Sequence, residues 1–353
     1  MSSKAKRRRV DEGLPELITK VNIMKQEEFL QDLDNFLQEW HNDEPTVGVH
    51  TSGSTGTPKP MQVEKERMRA SAQLTCQFLG LKEGDSALLC MPLQYIAGKM
   101  VVVRSLVSGL RLIPVAPSGH PLKDISEVPT FCAMIPMQVF NTLQVPEERA
   151  KLMEIKHLII GGGAIDDALA KELKSFPNHV WSTYGMTETL SHIALRRLNG
   201  TEASDWYTPF ENVRIRLSVE NTLIIHAPKV CADELITNDI AEINTEGKFR
   251  IIGRKDNIIN SGGVKIQIEQ VEATLREHLD SPFQITAKKD AKFGEIVVLI
   301  YNKVKDEEEV RRICEEKLPT YWVPKLYFAV DELPLTGTGK PDRATAKKMV
   351  EGE

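Results

Sequence analysis

Thr51-Ser52-Gly53-Ser54-Thr55-Gly56-Thr57-Pro58-Lys59 crowds hydroxyls and glycines into one short stretch. Such a loop can turn side-chain O–H and backbone N–H groups toward phosphate oxygens, with Lys59 supplying a cation. It is not a Walker A loop, because that pattern needs a second glycine five places after Gly53, where Pro58 stands. A plain Ser/Gly linker would have no need of the terminal Pro-Lys and would not follow a strand directly. Tyr184-Gly185-Met186-Thr187-Glu188-Thr189 offers an aromatic face for a base, the Thr187 hydroxyl for a phosphate, and in Glu188 a hard oxygen ligand suited to Mg²⁺. Read alone, it could equally be a polar turn after a strand. Gly161-Gly162-Gly163, following Leu158-Ile159-Ile160, lets backbone approach a flat ligand, or simply turns a strand into a helix. It fails the GxGxxG pattern because Asp166 occupies the third glycine position. Lys340 ends the Gly-, Pro- and Thr-rich run Leu333-Pro334-Leu335-Thr336-Gly337-Thr338-Gly339. An ammonium on such a non-helical loop can neutralise charge developing at a phosphorus centre and its leaving oxygen.

These groups need a scaffold that brings loops to one edge. Short β-branched runs alternate with helical segments, which predicts an α/β fold: a large N-terminal domain with mostly parallel sheets flanked by helices plus a small antiparallel region, and a small α+β C-terminal domain. Helices are predicted over 29–40 and 62–79, with a strand from Val47 running into the hydroxyl-rich loop. Further strands are predicted at 87–90, 111–115, 131–135, 158–160 and 180–183, several ending at the turn residues where open α/β sheets hold ligands. Antiparallel strands follow from about Asn212, and beyond Gly253 a compact unit restarts with a helix over 268–279, strands at 284–288 and 295–302, and a helix over 307–317. The expected division is 1–253 and 254–353, with the boundary at Arg254 to Asn257.

Composition narrows the classes. With 353 residues, 45 Lys and Arg against 50 Asp and Glu, a net charge of −5 and 41% hydrophobic residues, the chain reads as an ordinary globular protein of about two domains and not as a nucleic-acid binder through global charge. The basic run Lys4 to Arg9 is read as a solvated terminus. Cys76, Cys90, Cys132, Cys231 and Cys314 are scattered, odd in number and without a CxxC pair, which disfavours a disulfide framework or zinc site and fits a reducing, cytoplasmic setting. No run of eighteen apolar residues predicts membrane insertion.

The ordered series resembles the adenylate-forming superfamily, which includes acyl-CoA synthetases, luciferases and peptide-synthetase adenylation domains. It comprises the phosphate loop, the Tyr184 to Thr189 stretch, Asp239, Gly253-Arg254-Lys255-Asp256-Asn257, Ser261-Gly262-Gly263 and the Leu333 to Lys340 loop. The resemblance covers about residue 45 to the C-terminus. It implies that a carboxylate attacks the ATP α-phosphate, giving an acyl-adenylate and pyrophosphate, and that the thiol of CoA then displaces AMP. By resemblance, Thr51, Ser52, Gly53, Ser54, Thr55, Gly56, Thr57 and Lys59 hold phosphate, while Gly162, Gly163, Tyr184, Gly185, Asp239 and Arg254 hold adenine and ribose. Lys340, Thr187 and Glu188 are implied as catalytic, with Glu188 on Mg²⁺, Ser261, Gly262 and Gly263 lining the CoA passage and Asp256 as the hinge. Asp239 and Arg254 could also be a surface ion pair in a β-hairpin.

Met91-Pro92-Leu93-Gln94-Tyr95-Ile96-Ala97-Gly98 followed by Arg104, and Thr189-Leu190-Ser191-His192-Ile193, are similar to the o-succinylbenzoate–CoA ligases of menaquinone biosynthesis. That likeness implies an acyl pocket of Tyr95, Arg104, Ser191 and His192, in which Arg104 could meet a second substrate carboxylate or, alternatively, lie on a helix surface. The chain departs from that pattern at Tyr95, where histidine is usual, and at Gln94, where an aromatic is usual. The superfamily also has a longer stretch ahead of its phosphate loop, which here begins at Thr51. The implied partners are a small carboxylate, ATP and CoA, with no nucleic acid and no membrane insertion; a homo-oligomer is left open. A ligase for another aryl or alkyl acid, a carrier-loading adenylation enzyme, and a catalytically weak nucleotide-binding protein are the alternatives.

Overall fold

The computed structural model describes residues 23–50, 60–163, 165, 167–303, 306–335 and 341–352. Its chain groups into two units, one of residues up to 203 (apart from 52–59 and 166–170) and one running from Ser204 onward.

In the first unit, helix α1 (23–41) buries Phe29, Leu33, Phe36 and Trp40, the residues at helical spacing. Strands β1 (Thr46–His50) and β2 (Pro60–Glu64) pair antiparallel, with His50 opposite Pro60. Gln62 falls within this pairing, and the helix expected from Gln62 begins only at Lys65, as α2 (Lys65–Leu79). Local propensity is overridden here by pairing with β1. Helix α2 buries Met68, Ser71, Ala72, Thr75 and Leu79 on one face and ends at Gly80.

The main sheet follows: β3 (Ser86–Leu89), α3 (Ile96–Ser108), β4 (Arg111–Pro114), β5 (Phe131–Met134), α4 (Pro136–Leu143), α5 (Pro146–Glu154), β6 (His157–Ile160), α6 (Asp167–Leu173), β7 (His179–Gly185) and β8 (His192–Arg197). The strands run β4-β3-β5-β6-β7-β8, parallel throughout except for β8. Every residue of β3, β5 and β6 is buried, as expected of strands covered on both faces.

At the opposite end of this sheet from the motif-bearing turns, His157 faces His179 across β6 and β7, their rings 5.1 Å apart. His157 is 4% exposed, and neither ring nitrogen has a hydrogen-bond partner among the described residues. Burial, reinforced by His179 and Lys156, pushes its pKa down to about 4. Between pH 4 and 6.5 the unfolded chain binds a proton that the folded chain refuses. Stability is thus fully present above pH 6.5 and falls as the medium is acidified through that window. His157→Phe should lose about 2 kcal/mol less than the parent in urea unfolding between pH 7 and 5. Equal losses would remove His157 as a source of acid sensitivity.

The second unit contains β9 (Thr208–Pro209) and an antiparallel sheet of β10 (Arg214–Leu217), β11 (Thr222–His226), β12 (Leu235–Ile243) and β13 (Phe249–Arg254), in that order. A further sheet follows, built from β14 (Ile258–Ser261), β15 (Val264–Gln267), β16 (Phe283–Asp290), β17 (Gly294–Asn302) and β18 (Leu326–Val330), with helices α7 (Ile268–Arg276), α8 (Glu307–Lys317) and α9 (Arg343–Glu351). Side chains along β17 alternate: Val297, Leu299 and Tyr301 pack with Val271, Leu275, Val310 and Cys314 of α7 and α8, while Val298 and Ile300 pack with Ala346 and Val350 of α9. No helix among the described residues is long and apolar enough to cross a membrane.

Candidate active site

Residues 51–59 and Lys340 lie outside the described residues, but the elements that carry them are defined. Buried Lys99, on α3, donates to Glu39 Oε2 (3.0 Å) and the Gly48 carbonyl (2.7 Å), and Glu39 Oε1 accepts the Gly48 N–H (2.8 Å). This clamp ties α1, α3 and β1 together immediately before the hydroxyl-rich sequence that begins at Thr51. Around Lys340, Leu335 bridges Pro341, the Asp342 N–H donates to the Pro334 carbonyl (3.0 Å), and Gln284 Nε2 donates to the same oxygen (2.8 Å). Asp342 also caps α9 by accepting the Thr345 N–H.

The Gly161 to Gly163 run begins directly after β6, and Tyr184 and Gly185 end the neighbouring β7. A Cβ on Gly185 would lie 2.3 Å from the Ser191 carbonyl oxygen, so only glycine permits the turn to fold back onto β8. Thr187 to Thr189 form a single 3₁₀ turn, with Thr187 buried and Glu188 exposed. The Thr189 hydroxyl accepts the Met186 N–H (3.0 Å) and lies against the Met186 and Ser191 carbonyls. Leu190 is 4% exposed and has φ of 65° and ψ of −35°, and the Ser191 N–H donates back to the Thr189 carbonyl (2.7 Å) across it, a tight positive-φ turn that costs a non-glycine residue about 1–3 kcal/mol. The Glu188 carboxylate makes no ion pair among the described residues, and those residues hold no cluster of three metal ligands. A lone exposed carboxylate suits Mg²⁺, which is normally shared with substrate phosphates and water.

Arg104, Ser191 and His192 come together. Helix α3 is buried continuously from Gly98 to Ser105, which places Arg104 in the interior at 2% exposure and not on a helix surface. Its Nη2 donates to Ser191 Oγ (2.5 Å), which lies 3.2 Å from His192 Nδ1. His192 Nε2 lies 3.1 Å from Thr75 Oγ1, on α2. Burial, offset slightly by Cys76, pushes the Arg104 pKa down to about 10, leaving it protonated at neutral pH. Burial, with the Arg104 charge beside it, holds His192 well below the ordinary histidine range. Tyr95 is not part of this cluster: it caps the start of α3, and nine residues at 1.5 Å rise put it about 13 Å along the axis from Arg104.

Asp239 and Arg254 face each other across β12 and β13, joined by Arg254 Nη1 to Asp239 Oδ1 (3.2 Å), and Arg254 Nη2 also holds Asp256 Oδ2 (2.9 Å). The three residues form one group, with Asn238 Nδ2 donating to the same Asp256 oxygen (3.2 Å). Gly262 and Gly263, with φ of 58° and 84°, form the two-residue turn between paired Ser261 and Val264. That left-handed pair is what a tight hairpin turn requires, a backbone reason for both glycines. Sequence reasoning did not anticipate Thr75, Glu272 or Arg343. Only Arg343, three places after Lys340, had a positional signal.

A family model described as AMP-binding enzyme matches residues 4–223, and one described as AMP-binding enzyme C-terminal domain matches 284–340. The chain belongs to this family of AMP-binding enzymes. An acyl-CoA synthetase (AMP-forming)/AMP-acid ligase II-like protein from Dyadobacter fermentans is 32% identical, with a TM-score of 0.63 over 90% of this chain and 93% of that one. A 2-succinylbenzoate–CoA ligase of Bacillus mycoides is 26% identical, the match spanning 93% of this chain and 73% of the relative. The o-succinylbenzoate CoA synthetase of Bacillus subtilis, solved with its acyl-adenylate intermediate, shares the fold at 23% identity and a TM-score of 0.71, over 85% of this chain and 68% of that one.

Proposed function

We propose that the chain is an AMP-forming acid–CoA ligase. It activates a carboxylic acid with ATP to an acyl-adenylate and passes the acyl group to CoA, releasing pyrophosphate and AMP. The acid is o-succinylbenzoate. Glu188 would hold Mg²⁺, which offsets charge on the ATP phosphates, while Thr187, Lys340 and the hydroxyls of 51–57 with Lys59 bind phosphate oxygens. Gly162, Gly163, Tyr184 and Gly185 take the adenine, and Asp239 and Arg254 the ribose. The small domain from residue 254 turns about Asp256 between the two steps, bringing Ser261, Gly262 and Gly263 to the thiol.

One observation carries the choice of acid. Arg104 is a buried cation with no carboxylate partner among the described residues, and its Nε makes no hydrogen bond there. A buried charge without its counter-ion costs several kcal/mol, and a substrate's second carboxylate supplies the missing anion. The neighbouring Cys76 thiol cannot serve, since burial raises its pKa and keeps it neutral.

Pyrophosphate release from a panel of acids, with and without CoA, tests the reading. Release with o-succinylbenzoate alone supports it, and release only with monocarboxylates overturns the acid assignment. Arg104→Met should raise KM for the dicarboxylate by roughly 10–100-fold, the range for a charge-assisted hydrogen bond, with KM for ATP unchanged. Unchanged kinetics would remove Arg104 from the pocket.

A further inference from the structure

Four side chains from three separate elements make one buried chain of hydrogen bonds, and its two ends fix its direction. At one end the Arg104 guanidinium can only donate, so Ser191 Oγ accepts from it. At the other end the Ser71 carbonyl can only accept, so the Thr75 hydroxyl, 3.2 Å away, donates its single proton there. Thr75 Oγ1 is then left to accept from His192 Nε2, which must carry the imidazole proton. His192 Nδ1 is left as the acceptor for the Ser191 hydroxyl.

Every bond now runs the same way, from Arg104 through Ser191, His192 and Thr75 to the Ser71 carbonyl. The opposite tautomer would turn both Nδ1–H and Arg104 onto Ser191 Oγ, leave the Ser191 proton without its acceptor, and take the Thr75 proton from Ser71. It makes fewer bonds in a site where Thr75 is fully buried and His192 is 7% exposed. A protonated His192 would likewise set two donors against Ser191, consistent with the depressed basicity of this ring.

We infer that Thr75 is a positioning residue for the acyl pocket: its hydroxyl selects the Nε2–H tautomer of His192, which orients Ser191 and so sets the direction in which Arg104 presents its remaining donors to a substrate carboxylate. The inference rests on the ligase reading for its substrate, but the tautomer it requires is a property of the protein alone. A hydroxyl on α2 thereby acts on a guanidinium on α3 without touching substrate.

The test uses the full chain labelled with ¹⁵N, with His192 assigned by comparison with His192→Gln. In long-range proton–nitrogen spectra at pH 7.5, the parent should show a protonated Nε2 and a bare Nδ1. Thr75→Val, which keeps the shape and removes the hydroxyl, should move His192 away from that pattern and raise KM for the dicarboxylate about tenfold, the loss of one buried hydrogen bond, with kcat and KM for ATP within about twofold. Thr75→Ser should restore both. An Nδ1–H tautomer in the parent overturns the inference, as does Thr75→Val with parental spectra and KM. Thr75→Ser as impaired as Thr75→Val would overturn it too, by assigning the effect to packing of the methyl group. Silence of the parent with every acid would count against the ligase reading, while the spectra would still decide the hydrogen-bond direction.

Discussion

Replacing Lys340 by alanine is expected to slow acyl-adenylate formation by about 10²–10³-fold, the loss usual for a single group that stabilises developing charge. Thioester formation from a preformed adenylate should continue at close to the parental rate. The asymmetry follows from the role proposed for the ammonium: charge accumulates at the α-phosphorus and pyrophosphate oxygens only in the first half-reaction. Both strands of the loop's base are fastened, through the Leu335 and Pro341 bridge and through the Pro334 carbonyl, which accepts from both Asp342 and Gln284. The described residues flanking Lys340 are thus held to the fold, as the proposed role asks of a group that must be positioned as well as charged. Pyrophosphate release measures the first step, and thioester yield from synthetic adenylate measures the second. Equal loss in both would remove Lys340 from the adenylation chemistry.

The second large effect concerns the same loop through stability. Glu272, 3% exposed on α7, takes a two-pronged contact from Arg343 (3.0 and 2.8 Å), accepts the Ile285 N–H (3.0 Å), and has Arg276 at 3.4 Å. Arg343 also donates to the Ile285 carbonyl (3.1 Å), so one guanidinium joins α9, α7 and β16. Arg343→Leu leaves the carboxylate buried with the Ile285 N–H and, as counter-charge among the described residues, only the more exposed Arg276. Removing one partner of a buried pair costs about 3–5 kcal/mol, and the residual Arg276 contact places the expected loss near 3. Arg343→Lys should fall between, because an ammonium keeps the charge but loses the fork. Urea unfolding of the three proteins reads this order directly. A Leu variant as stable as the parent would show that the pair does not hold α9. Because Arg343 follows Lys340 by three positions, the Leu variant should also lose adenylation at temperatures where it remains folded.

Much of the scaffold was legible in the sequence because apolar runs bounded by turn residues have few other ways to be buried. The strands at 131–134 and 222–226 and the helix over 307–317 fall where the pattern puts them. Helix α3 was not legible: Val101-Val102-Val103 suggests a strand, and a helix buried on every side carries no amphipathic period. The same burial removes the helix-surface position that the sequence context of Arg104 also allowed. The start of α2 was hidden for a different reason, since Pro60–Glu64 becomes a strand only by pairing with Thr46–His50. Thr75 and His192 are 117 positions apart, and no local rule links a helical threonine to a histidine that begins a strand. The pair Gly262-Gly263 was read only for a passage to the thiol, and the structure adds a backbone role, the turn of the hairpin between Ser261 and Val264.

Leu190 ties the core to the chemistry. At this strained positive-φ turn the chain keeps a large apolar side chain and holds it buried. The turn carrying Thr187 and Glu188 therefore keeps its shape through burial of the next residue but one, and not through an intrinsically comfortable backbone. Any loosening of packing around Leu190 releases the strain and lets the turn relax. The phosphate and Mg²⁺ groups proposed for this turn are thus coupled to the interior, so that loss of catalytic competence and melting of the core become one event.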